Sequence, residues 1–167
     1  MNTYKIILPA LLVVAVAACS PTTQNKTEVT TADTVKNQVD TALITKISVP
    51  ASARLGSPIE LTFTVYNPTD SIKTFSKWHT PFEPLMSKYL DVTASDGVEA
   101  AYKGPMAKRI MPPPADAYLT IKPKDSLTVK VDLTQAYDFK QGDYTIRYNS
   151  ASISGLTITD SLKIAIK

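Results

Sequence analysis

The 167 residues include one cysteine, one histidine, one tryptophan and five glycines, and each scarcity excludes something. A single cysteine, Cys19, leaves no intrachain disulfide to staple a fold. The lone His79 is followed by Thr80 and Pro81, so it cannot belong to an H-E-x-x-H zinc helix. Such a helix needs two histidines one turn apart on a shared face, with the intervening glutamate activating a metal-bound water. The same histidine would have to serve any serine triad, and no serine sits in a G-x-S-x-G elbow. Five glycines build no phosphate-cradling loop. No window carries an apolar stripe of helical period. The formal net charge is only +3, which gives no electrostatic reason to expect nucleic acid or an acidic polymer as partner.

What is present begins at the N-terminus. A polar start carrying Lys5 leads into an apolar run from Ile6 to Val16, interrupted by Pro9, and ends in Ala17, Ala18 and Cys19. This is the n-region, h-region and small-residue layout of a secretory signal. The run is too short to span a hydrocarbon core of ~30 Å, which takes roughly 20 residues. Val16-Ala17-Ala18-Cys19 resembles the lipobox of bacterial lipoprotein signal peptidase, whose cysteine thiol is alkylated by a diacylglycerol donor before cleavage. At ~0.8 kcal/mol per buried methylene, two or three acyl chains hold a protein on a membrane. The expectation is a signal peptide over residues 1–18 and a lipid on Cys19 as the sole covalent group, with no other cofactor. Ser20 in place of aspartate points to the outer membrane, so the domain is expected in the cell envelope, facing the periplasm or the cell surface.

Losing the leader removes Lys5 alone among charged residues and leaves 17 basic against 15 acidic side chains. Residues 19–41 are rich in Thr, Asn, Asp and Lys and contain no aromatic residue. They cannot bury enough apolar surface to offset chain entropy and read as a flexible linker. Residues 42–167 are one domain's worth of chain.

Within that domain Ile59, Leu61, Phe63 and Val65 alternate with Glu60, Thr62, Thr64 and Tyr66 before Asn67-Pro68 stops the pattern. Period two with one polar face predicts a half-buried antiparallel strand. Leu127 to Leu133, Tyr144 to Tyr148 and Leu162 to Ile166 repeat it, and weaker runs cover 43–49, 72–78, 89–93, 98–102 and 118–121. Turn signals such as Asn67-Pro68, Asp96-Gly97, Lys122-Pro123 and Gln141-Gly142 separate them. The expected fold is all-β, an immunoglobulin-like antiparallel β-sandwich of seven to nine strands. Tyr144, just after a tight turn at the start of a strand, resembles a tyrosine corner.

The segment Lys77-Trp78-His79-Thr80-Pro81-Phe82-Glu83 is not demanded by sandwich packing. With Val65-Tyr66-Asn67-Pro68-Thr69 before it, and Tyr102-Lys103-Gly104-Pro105, Lys108-Arg109, Asp116-Ala117-Tyr118 and Gly142-Asp143-Tyr144 after it in order, it resembles the N-terminal non-catalytic domain of bacterial deuterolysin and peptidyl-Lys metalloendopeptidase relatives. The resemblance implies an accessory domain standing without its peptidase domain. Any protease label on such a chain would be inherited from that shared domain.

Trp78 is expected to pack in the core from a central strand, and Thr80-Pro81-Phe82-Glu83 to form a stiff, partly exposed loop. A second proline-rich loop, Ile110-Met111-Pro112-Pro113-Pro114, follows Lys108-Arg109 and suits either a preformed contact surface or an inert spacer. His79 and Glu83 with Met86, Met106 and Met111 hold donors that suit Cu(I), but nothing local aligns them, and methionines filling gaps are the simpler expectation. Asp132 and Asp138 read as exposed, not as a catalytic pair. The function expected is a non-catalytic, protein-binding envelope lipoprotein, protease-associated or propeptide-like and inhibitory. Its candidate partner-binding residues are Trp78, His79, Thr80, Pro81, Phe82, Glu83, Lys108, Arg109, Pro112 and Pro113. A peptidase with an unrecognised site and a structural envelope lipoprotein are the alternatives.

Overall fold

The computed structural model describes residues 43–167. The signal peptide over 1–18, Cys19 and the linker over 19–41 lie outside the described residues. Eleven strands occur among the described residues: β1 (Ile44–Ser48), β2 (Ser52–Ala53), β3 (Glu60–Tyr66), β4 (Lys73–Ser76), β5 (Leu90–Ala94), β6 (Ala101–Tyr102), β7 (Tyr118–Ile121), β8 (Ser126–Asp132), β9 (Tyr137–Asp138), β10 (Gly142–Tyr148) and β11 (Leu162–Ile166). One short α-helix, α1 (Ala151–Ser154), ends on Gly155 in the left-handed conformation, and 3-10 turns cover Ala115–Ala117 and Leu133–Gln135.

The strands form a three-stranded sheet ordered β1-β3-β8 and a four-stranded sheet ordered β2-β11-β10-β5, with two-stranded ribbons β4-β7 and β6-β9. All pairings are antiparallel except β2 with β11. The count exceeds seven to nine because β2, β6 and β9 are two residues each.

Alternation decides the faces. Leu61, Phe63 and Val65 of β3 are fully buried, and Tyr144, Ile146, Ile164 and Ile166 close the same core from the other sheet. Burying each such side chain contributes roughly 1.5–3 kcal/mol. The turn after β3 is fixed by buried Asn67, whose amide donates to the carbonyls of Ser71, Ile121 and Lys122 and accepts from the Thr69 N–H and hydroxyl. A polar group at that depth must be paired in this way. The Tyr144 hydroxyl accepts the Lys140 N–H at 2.9 Å, which is the hydrogen bond of a tyrosine corner.

Asp132 is not simply a residue on an exposed face. Half-buried, it accepts the N–H groups of Ile59 and Thr134 at 3.0 Å and the Thr134 hydroxyl at 2.8 Å. Burial acts to raise its pKa, but these hydrogen bonds outweigh it and hold the carboxyl below its ordinary value. Asp138 is exposed, as expected, and pairs with Lys103 at 2.9 Å.

Candidate functional site

The chain leaving β4 continues the ribbon for one more bond, Lys77 N–H to the Ala117 carbonyl at 2.8 Å. It then turns sharply, with His79 at φ 57°. Trp78 is buried, but it lies in this loop and not on a central strand. The expectation failed because the chain crosses between sheets through β4 before β5 begins.

The loop is wired along its length. The Ser76 hydroxyl accepts the Trp78 N–H at 3.2 Å. The Thr80 hydroxyl donates to the Lys77 carbonyl at 2.6 Å and accepts the Phe82 N–H at 3.2 Å. Phe82 packs edge-on against Phe63 and Phe75, with ring centres 5.9 and 5.4 Å apart. Thr80, Pro81 and Glu83 are buried, and only Pro84 is fully exposed between residues 80 and 84. The expected partly exposed loop is therefore folded inward. Prolines lack donors, side-chain oxygens accept the N–H groups of Trp78, His79 and Phe82, and the Thr80 carbonyl accepts that of Glu83.

Glu83 ties the two proline-rich loops together. One carboxylate oxygen accepts the His79 N–H at 2.9 Å and the other binds Arg109 Nη2 at 2.6 Å. The Arg109 guanidinium carbon stands 4.8 Å from the Trp78 ring centre, a cation–π geometry. A further bond, Ala107 N–H to the Met86 carbonyl at 2.8 Å, closes the seam.

His79 and Glu83 are thus held close, but through the backbone of His79 and not through its ring. Its Nδ1 is 3.5 Å from the Ser150 hydroxyl. Its carbonyl accepts the Tyr148 hydroxyl at 3.0 Å, and Ser154 lies 2.6 Å from that hydroxyl. Sequence reading missed Tyr148, Ser150 and Ser154; Tyr148 carried only a strand signal and the two serines none. Burial lowers the His79 pKa, Arg109 lowers it further and Glu83 partly offsets both. Among the described residues no group of three His, Cys, Asp or Glu side chains could hold a metal ion.

The second loop faces outward. Gly104 is required at its start, since a Cβ there would run into the Tyr102 ring, whose hydroxyl donates to the Pro105 carbonyl. Beyond it Met106, Ile110 and Met111 are 70%, 82% and 62% exposed, and Met86 beside them is 37% exposed. Lys108 and Pro112 are exposed and Pro113 is half-buried. Two open grooves, of about 230 and 440 Å³, lie elsewhere, and neither is lined by a residue of these loops.

A family model described as an immunoglobulin-like domain matches residues 46–149. The chain belongs to that family. The matched range includes both of the loops that Glu83 and Arg109 join. Among solved structures, a mutant (D270A) β-glucosidase from Listeria innocua in complex with laminaribiose is similar at 12% identity and a TM-score of 0.39. The similarity covers 75% of this chain and 16% of that one. No curated protein matches. Among the described residues no helix is long and apolar enough to cross a membrane.

Proposed function

We propose that this is a non-catalytic, lipid-anchored module of the bacterial cell envelope, held through Cys19 at the outer membrane, whose immunoglobulin-like domain binds a protein through the loop tip around Met106, Lys108, Ile110 and Met111. The observation that carries the reading is the contrast within one clasp. The buried Glu83 carboxylate holds the half-buried Arg109 and ties the loop down, while three large apolar side chains stand in water beside it. Exposed apolar groups on a fixed scaffold mark contact sites, because binding them costs little ordering entropy.

Trp78, Thr80, Pro81 and Glu83 then act as the scaffold beneath the contact surface. His79, Phe82 and Arg109 are half-exposed at its margin, and Lys108, Pro112 and Pro113 belong to the tip. The resemblance to peptidase accessory domains makes a peptidase or its propeptide the favoured partner. An envelope peptidase of the deuterolysin type, mixed with the full chain, should co-elute with it and be slowed against casein. Substituting Ile110 and Met111 by serine should abolish both effects while leaving the melting curve in place. Co-elution that persists in the double variant would remove the loop tip from the reading. Chelator-sensitive casein cleavage by the chain alone would replace binding with catalysis.

A further inference from the structure

We infer that β8 is a self-association edge: the β8 strands of two copies pair antiparallel about a two-fold axis through Val129 and join two three-stranded sheets into one of six strands. This interface is separate from the loop tip and does not depend on it.

The sheet order leaves β8 with β3 as its sole strand neighbour among the described residues. Every second residue of such an edge turns its N–H and C=O groups outward, a template for another strand. The other edges are shorter or covered. At the far side of the same sheet β1 has five residues and stops before Val49-Pro50. In the second sheet β5 is shielded by its own return, with Ala100 N–H bonded to Val92 and Ala94 N–H to Val98. At the opposite edge the two residues of β2 cap β11. The seven residues of β8 contain no proline and no glycine.

Burial tells the same story from the side chains. Leu61, Phe63 and Val65 are opposite Val131, Val129 and Leu127 in the β3–β8 register. The β3 set is fully buried, yet its β8 partners are only half-buried. The apolar layer therefore runs on to an open edge. A lysine commonly guards such an edge through its charge. Here Lys130 is paired with Glu60 at 2.8 Å, and the strand's other charge, Asp132, is engaged by the Ile59 and Thr134 N–H groups, so neither stands free to repel a second copy.

The sequence of β8 is compatible with itself. Antiparallel pairing about Val129 puts Leu127 opposite Val131 of the second copy and extends the apolar layer across the axis. On the polar face it puts Thr128 opposite Lys130 and Ser126 opposite Asp132, with no like charges directly opposed. The interface is isologous, so it closes at two copies.

The test uses the full chain in density-matched detergent, with sedimentation equilibrium over a concentration series. The wild-type mass should rise toward twice that of the chain. Thr128→Lys places lysine opposite lysine on both sides of the axis and should raise the dimer dissociation constant about tenfold or more. Adding Lys130→Glu to that variant makes the opposed pairs complementary and should restore dimerisation. Amide hydrogen exchange gives a second readout, in which alternate β8 amides become protected as wild-type concentration rises. A wild type that stays monomeric throughout overturns the inference. So does a Thr128→Lys variant that dimerises as before, and so does β8 protection independent of concentration, which would assign the edge to a cover within one chain.

Discussion

Two proline-containing loops meet at the Glu83–Arg109 pair and face opposite ways. Residues 76–83 turn inward, with the N–H groups of Trp78, His79 and Phe82 accepted by Ser76, Glu83 and Thr80. Residues 106–112 turn outward with Met106, Ile110 and Met111 exposed. Hydroxyl and carboxylate acceptors at short range let the first loop leave water. The second loop is held by the Arg109 side chain and by Ala107 N–H on the Met86 carbonyl, and it stays at the surface. Proline content alone does not decide whether a loop is core or contact; the local supply of acceptors does.

The largest effect is expected from Glu83→Ala, which leaves the Arg109 guanidinium and the His79 N–H without their carboxylate. Removing the buried partner of this part-buried pair should cost about 2–3 kcal/mol in urea unfolding, and a loss under ~0.5 kcal/mol would mean that the two loops are independent. Thr80→Val is isosteric but deletes one donor and one acceptor at a fully buried position. It should cost about 1–2 kcal/mol by the same measurement.

A smaller effect is expected from pH. Because the folded-state pKa of His79 is lowered, the unfolded chain takes up a proton more readily than the folded one as pH falls below 6.5. Stability from this group is complete above that value and should decline as pH drops toward the folded pKa; His79→Gln should flatten that part of the stability profile. The smallest stability change belongs to Ile110→Ser with Met111→Ser, within about 0.5 kcal/mol of wild type, although binding is lost. A large loss of stability there would show that the tip, like its neighbour, belongs to the packed domain.

The long strands were legible because a period of two is written locally, as in Ile59 to Val65, and the tyrosine corner because its turn and tyrosine are adjacent in sequence. The two-residue strands β2, β6 and β9 were not, since only a partner strand defines them. The burial of Trp78 is legible in the sequence but its place in a loop is not, because hydrophobicity reports depth and not connectivity. The Glu83–Arg109 pair spans 26 residues, and no periodicity links a carboxylate to a guanidinium across that gap. Both segments were picked out, but which of them lies inside required the hydrogen bonds.

The parallel contact of β2 with β11 has a consequence in time. Ser52 and Ala53 are aligned with Ala165 and Ile166, and Lys167 N–H reaches the Ala53 carbonyl. β2, the second strand in the chain, therefore waits for β11, the last strand among the described residues, before it can pair. Pairings this distant in sequence slow folding. The four-stranded sheet is therefore the later of the two to be completed, because its edge strand β2 has no partner until β11 is made.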